Sequence, residues 1–326
     1  MKNQNAAGHL TALFTVIIWG TTFTATKLLL GHFTAIEILF MRFALGYLAL
    51  AAASVPERLA RKERPRRTFR QELYFAAAGL TGVTIYFLME NNALNYSLAS
   101  NVGIIVAISP LFAALFSSFF LKEEKVSARF FIGFAVSMSG IVLVTLNGNF
   151  VLRLNPAGDV LAASAAIVWA IYSVIQKKIQ AFGYSVIALT RKTFFYGIIF
   201  MIPVMCVKGF HPDPTVLINP RVIFPVLYLG LGASAVCYAT WNYSLHILGA
   251  LKVSAYIYLI PFVGILFAGL VLKEKITPAA LAGVVLIMFG LYLSERSFRK
   301  AKPDQDAVPV PAAAETVMAD EGTDRE

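Results

Sequence analysis

Ten apolar stretches of about 20 residues, set apart by charged, Pro-rich or Asn-rich connections, leave this chain few ways to fold. They fall at residues 10–30, 34–54, 72–92, 102–121, 128–146, 156–176, 184–207, 220–245, 250–272 and 276–294. Segments that long and that apolar belong in hydrocarbon, where a helix satisfies each backbone N–H and C=O within one segment. Composition agrees: 58% of the residues are hydrophobic and 14% are charged, against about 25% charged in an ordinary soluble domain. Soluble enzymes and DNA-binding proteins are excluded on this ground. The predicted fold class is an all-α integral membrane protein with ten transmembrane helices. The first stretch lies where a signal peptide would, but it lacks a small-residue cleavage site and nine more stretches follow, so it is expected to stay as a helix.

The net charge of +10 is spread as a topology signal and not as a nucleic-acid patch. With the N-terminus in the cytoplasm, nineteen of the 28 Lys and Arg fall in cytoplasmic segments, five fall outside, and Lys27, Arg42, Arg191 and Lys192 lie within helices. Both termini are therefore expected on the cytoplasmic side of a cell membrane crossed many times. Residues 303–326 hold seven acids against one Arg, with three Pro and an Ala run, and are expected to form a disordered acidic tail. Cys206 and Cys237 lie in apolar stretches without metal-ligand spacing and read as packing residues.

An internal repeat organises the rest. Trp19 and Trp169, Lys27 and Lys177, Gly133 and Gly283, and Gly140 and Gly290 are each 150 apart. Pro110 and Pro261, Lys122 and Lys273, and Glu123 and Glu274 are 151 apart, and Arg42 and Arg191 are 149 apart. The tetrapeptide at residues 95–98 returns at 242–245, an offset of 147 that implies a four-residue insertion after it in the second half. The organisation read from this is an N-terminal segment 1–9, a first repeat 10–146, a second repeat 156–294 and the tail. Five helices per repeat is an odd number, so the second copy enters the membrane from the opposite side. Inverted halves can exchange conformations around a site at their interface, which is how secondary transporters work.

The ordered set of residues resembles the drug/metabolite transporter superfamily and, within it, the ten-helix EamA-type exporters. Its carriers are Trp19-Gly20 with Phe23, Arg42-Phe43, Ala93-Leu94-Asn95-Tyr96 with Ala99, Ser109-Pro110, and Leu121 with Glu123. The second half repeats them as Trp169-Ala170 with Tyr172, Trp241-Asn242-Tyr243, Pro261-Phe262, and Leu272 with Glu274, Ala170 departing from Gly20. The resemblance implies a basket of ten helices around a central cavity, and export of amino acids, related metabolites or drug-like compounds.

Candidate site residues follow from depth and polarity. Trp19 lies about nine residues into its helix, roughly 14 Å at 1.5 Å per residue, near the bilayer midplane. Trp169 matches it from the other side, and the two are expected on opposite walls of a cavity. Thr22 and Thr26 continue one stripe, Tyr172 and Gln176 the other, and Tyr86, Tyr238, Trp241, Asn242 and Tyr258 add an aromatic, hydrogen-bonding surface. Core packing is the competing reading for the aromatic residues, and a bond to its own helix carbonyl is the competing reading for each Thr.

Glu90 is the coupling candidate, since a carboxyl group inside a membrane can exchange a proton against substrate. Its alternative is an interfacial pair with Lys27. Lys27 and Lys177 read as cations at helix C-termini, and Arg42 either ties the halves together or meets an anionic group. Pro110 and Pro261 are hinge candidates, and Gly133, Gly140, Gly283 and Gly290 permit close helix approach within the bundle or across a dimer.

No Walker A segment is present, and His9, His32, His211 and His246 lie at ends and in loops, so no catalytic residue, metal site or cofactor is assigned. The function expected is a secondary active transporter exporting small metabolites, most of all amino acids or related compounds. The alternative is proton-coupled multidrug efflux. Expected partners are a small-molecule substrate, the lipid bilayer and protons, with no nucleic acid, for a monomer or homodimer.

Overall fold

A computed structural model of the chain describes residues 2–56, 68–97, 99–120, 124–125, 127–146, 155–271, 277–296 and 299–300. The acidic tail, the Arg-rich stretch at 57–67 and the 122–123 and 273–274 matches lie outside them. The first half comprises α1 (Lys2–Leu30), α2 (Ala35–Ala53), α3 (Phe69–Gly79), α4 (Tyr86–Tyr96), α5 (Ala99–Val106), α6 (Ser109–Phe120) and α7 (Ala128–Leu146). The second comprises α8 (Pro156–Gln180), α9 (Val186–Lys208), α10 (Pro220–Leu227), α11 (Cys237–Leu248), α12 (Ala250–Ala255), α13 (Ile260–Val271) and α14 (Pro278–Arg296). Among the described residues, extended structure is limited to a pairing of Glu124–Lys125 with Arg299–Lys300, which brings the connection after α6 beside the chain beyond α14.

Among the described residues, six helical stretches are long and apolar enough to cross a membrane: Ala35–Ala53, Phe69–Ala93, Val102–Phe120, Pro156–Gln180, Val186–Lys208 and Pro220–Leu248. Their starts are fixed by local chemistry. Thr34 caps α2 in a reciprocal capping box, its backbone N–H and hydroxyl both donating to Glu37 Oε2 at 2.8 Å. That role, with a further bond from the His211 backbone N–H, accounts for the acid at the head of α2. Asn155 and Asn219 cap α8 and α10, each followed by Pro at the first helical position, where a missing N–H costs nothing. Gly249, at φ 86°, ends α11 in a conformation that favours glycine. Helix α1 starts at Lys2, ahead of the expected boundary at 10, and its first turns pack on the second half, His9 Nδ1 lying 2.6 Å from Tyr256 Oη.

The halves are built alike. A π-helical stretch joins α3 to α4 (Leu80–Ile85), and another joins α10 to α11 (Tyr228–Val236) about 150 residues later. The helix carrying Pro110 breaks before Ser109, and the one carrying Pro261 begins after a 3-10 turn at Tyr256–Leu259. Both prolines, expected in mid-helix, thus stand at the second residue of a new helical piece, where the lost N–H is tolerated.

Glycine contacts fix how equivalent helices meet. A Cβ added to Gly140 would stand 2.5 Å from Gly283 O, and one on Gly133 would stand 2.7 Å from Gly290 O. Rising along α7 is therefore falling along α14, so these two equivalent helices run antiparallel within the bundle, as an inverted repeat requires. On the other flank, Gly46 packs on Gly230 and Gly197 on Gly79, two copies of one contact related by an offset of 151. That register corrects two sequence matches. Arg42 is equivalent to Thr193 and not to Arg191, which instead donates to Ser54 Oγ at 2.6 Å. Nor is there a four-residue insertion: the chain ends its helix at Tyr96 and restarts at Ala99, and does so again at Leu248 and Ala250. The repeated tetrapeptides sit one turn apart, with Asn95 exposed and Asn242 buried.

Candidate substrate site at the repeat interface

Where α1, α4, α8 and α11 converge, aromatic rings from both halves close on one another. Trp19 and Trp169 meet edge to face with ring centroids 5.5 Å apart, which corrects the expectation of opposite walls: the indoles are in contact. Trp19 also packs on Trp241 at 5.0 Å and Tyr238 at 5.7 Å, while Trp169 packs on Tyr86 at 4.9 Å and Tyr172 at 5.1 Å. Edge-to-face geometry aligns the positive ring edge with the negative ring face, so the cluster has a preferred shape as well as buried area.

The π-helical stretches anchor this cluster. A π turn leaves carbonyls without the usual i+4 donor, and two aromatic donors use them. Tyr238 Oη donates to Gly82 O at 2.8 Å, and Trp19 Nε1 donates to Ala233 O at 3.0 Å. Tyr172 Oη donates to Asn242 Oδ1 at 3.3 Å, and Asn242 Nδ2 donates to Thr190 Oγ1 at 2.9 Å. Other polar groups in the interior remain unsatisfied by protein: Trp169 Nε1, Trp241 Nε1, both amide atoms of Gln176, and the Tyr258 hydroxyl. Buried polar atoms normally find partners, so the unpaired nitrogens of Trp169 and Trp241, whose rings are 6.2 Å apart, mark a place that polar solute or water completes.

Beside the rings stand two charges. Arg42 is 5% and Glu90 7% exposed. Arg42 Nε donates to Ser234 Oγ at 3.0 Å, and its guanidinium lies over Phe87 and Phe43 with Cζ 4.8 and 5.2 Å from the ring centroids. Tyr86 Oη donates to Glu90 Oε1 at 3.0 Å. Glu90 lies inside α4, which runs on to Tyr96, and Asn91 beside it is buried as well. Arg42 and Glu90 approach through the rings between them, the guanidinium over Phe87, Phe87 against Tyr86 at 4.8 Å and Tyr86 on Glu90, and among the described residues they form no ion pair.

The remaining candidates separate. Thr22 donates to Trp19 O at 2.7 Å, the local bond within its own helix, and Thr26 is half-buried. The side chain of Lys27 lies outside the described residues, and Lys177 donates to Leu245 O at 3.5 Å. Tyr258 belongs to the 3-10 turn before Pro261 and packs on Phe134, away from the aromatic cluster. Three participants escaped the sequence reading: Phe43 and Phe194, stacked edge to face at 4.9 Å across the two halves, and Ser234, the partner of Arg42. Phe43 and Phe194 are 151 apart, and that offset was the signal available for them. Among the described residues, no group of three His, Cys, Asp or Glu stands in a position to hold a metal ion.

Comparison with known proteins bears on this arrangement. The profile described as the EamA-like transporter family matches residues 6–146 and, a second time, residues 156–296. An "Uncharacterized transporter" of Archaeoglobus fulgidus is 30% identical over 293 residues, 89% of this chain and 98% of that protein. A "Probable terminal-alkyne amino-acid exporter" of Streptantibioticus cattleyicolor is 29% identical over 87% of this chain and 92% of its own. A "Probable amino-acid metabolite efflux pump" of Escherichia coli is 26% identical, with 89% and 95% covered. One solved crystal structure, 19% identical, superposes with a TM-score of 0.71 over 89% of this chain and 98% of that one, and so has the same fold.

Proposed function

Because this chain belongs to the EamA-like transporter family, we propose that it is a secondary active transporter exporting amino acids or closely related metabolites across the cytoplasmic membrane. Two named relatives that match nearly the whole chain are described as acting on amino acids or their metabolites, which supports the substrate class. In this reading the ten apolar stretches are ten spans, both termini are cytoplasmic, and the two inverted repeats alternate between inward and outward arrangements.

The observation that carries the proposal is the aromatic cluster itself, built from α1 and α4 of the first half and α8 and α11 of the second, with the unpaired indole nitrogens of Trp169 and Trp241 in it. A site there is shared by both halves, so exchanging their conformations exposes it to one face and then the other. The breaks before Pro110 and Pro261 are the proposed flex points. Glu90 is the proposed coupling group. Tyr86 on its own helix donates to it, and a proton and a cationic solute group would compete for the same carboxyl.

Purified protein in liposomes tests this. Labelled amino acids should show saturable flux that a pH gradient accelerates, and Glu90→Gln should remove the gradient dependence. Saturable flux indifferent to the gradient would make the protein a facilitator. Absence of flux for every amino acid would move the reading to efflux of larger amphipathic compounds.

A further inference from the structure

A charge inside a membrane protein persists where something compensates it, and a direct partner is the usual compensation. Arg42 and Glu90 have each been given half of one. The guanidinium is anchored through Nε to Ser234 and lies over Phe87 and Phe43, while the carboxylate accepts from Tyr86 through Oε1. Neither Arg42 Nη1 and Nη2 nor Glu90 Oε2 has a hydrogen-bond partner among the described residues, and none of these three atoms is sealed from solvent. The geometry points to a split charge pair that a zwitterion completes. The free Nη atoms of Arg42 take the carboxylate of an α-amino acid, and Oε2 of Glu90 takes its ammonium group. This deepens the transport reading above and rests on it, by naming the groups that select the head of the substrate.

The anchoring of each group suits the task. A guanidinium fixed at Nε, with two rings beside it, leaves its two outer nitrogens as a planar fork, the donor pattern that matches a carboxylate. An ammonium arriving at Glu90 also comes near Tyr86 and the Trp169 ring packed on it at 4.9 Å, and aromatic faces attract cations. The repeat supplies a further argument. In the register set by the paired glycine contacts, the positions equivalent to Arg42 and Glu90 are Thr193 and Trp241, both buried. The second half builds the same helix contacts with no charge at either place, so folding does not call for the pair.

The test is a flux assay in liposomes with the twenty labelled proteinogenic amino acids. For the best-transported one, its decarboxylated amine and its deaminated acid serve as competitors. Wild type should prefer the zwitterion over either analogue by about tenfold or more. Arg42→Gln should weaken the zwitterion and the acid while leaving inhibition by the amine, and Glu90→Gln should weaken the zwitterion and the amine while leaving inhibition by the acid. Arg42→Lys, which keeps the charge without the fork, should fall between. A folding defect would show as lost monodispersity on size exclusion, and in variants that stay monodisperse the crossed pattern is diagnostic, while equal loss or no loss for all three overturns the clamp and leaves amino-acid transport standing. If wild type moves none of the twenty, the transport reading itself fails and the clamp with it.

Discussion

Asn242 is held from three sides inside the second half. Tyr172 donates to its side-chain oxygen, its amide nitrogen donates to Thr190, and Gln180 Nε2 donates to its backbone carbonyl at 2.9 Å. Truncation to Ala strands the buried Tyr172 hydroxyl, while Thr190 Oγ1 keeps its bond to Val186 O, and costs about 1–3 kcal/mol. Asn242→Ala should therefore melt earlier than wild type in detergent, and an unchanged melting temperature would mean the network is dispensable. Trp19 and Trp169 could be read from the sequence because Trp is rare and the offset of 150 is clean. Phe43 and Phe194 could not be singled out, since the chain has 26 Phe and helices apolar nearly all round give no sign of which face turns inward.

Helices in this protein are interrupted as deliberately as they are formed. The two π-helical stretches release the carbonyls of Gly82 and Ala233 to Tyr238 and Trp19, tying backbone irregularity to the aromatic cluster. No composition rule marked these stretches, because a π turn is set by what packs against it. The prolines were visible, but their place at the head of a new helical piece was not. Pro110→Ala and Pro261→Ala should each slow flux while leaving membrane insertion intact, and unchanged rates in both would remove the hinge role. Gly140 belongs to the same scale, since its Cβ would press on Gly283 O at 2.5 Å and on the Ile287 backbone nitrogen at 2.8 Å. Backbone atoms yield little, so Gly140→Leu should separate α7 from α14 at a cost of about 1–3 kcal/mol or more, seen as lost monodispersity on size exclusion.

Orientation belongs to the molecule as a whole. The charge distribution predicts the connection between α8 and α9 inside and that between α9 and α10 outside. In a Cys206→Ser background, with Cys237 buried, Asp213→Cys should react with a membrane-impermeant thiol reagent on intact cells. Ala181→Cys should react only after permeabilisation, and the reverse pattern would invert the topology. Both target positions are exposed, so protection cannot be blamed on packing.

By itself the sequence determined the apolar, helical character and the duplication, because length, apolarity, charge distribution and residue offsets are properties of a string. It also identified most of the aromatic candidates, through their recurrence in both halves. Tertiary structure alone decided that the two indoles touch, that Arg42 has no basic counterpart, and that Arg42 and Glu90 stand near each other unpaired. Those outcomes depend on which helix faces meet and in which register, and contacts between the glycines of separate helices set that register.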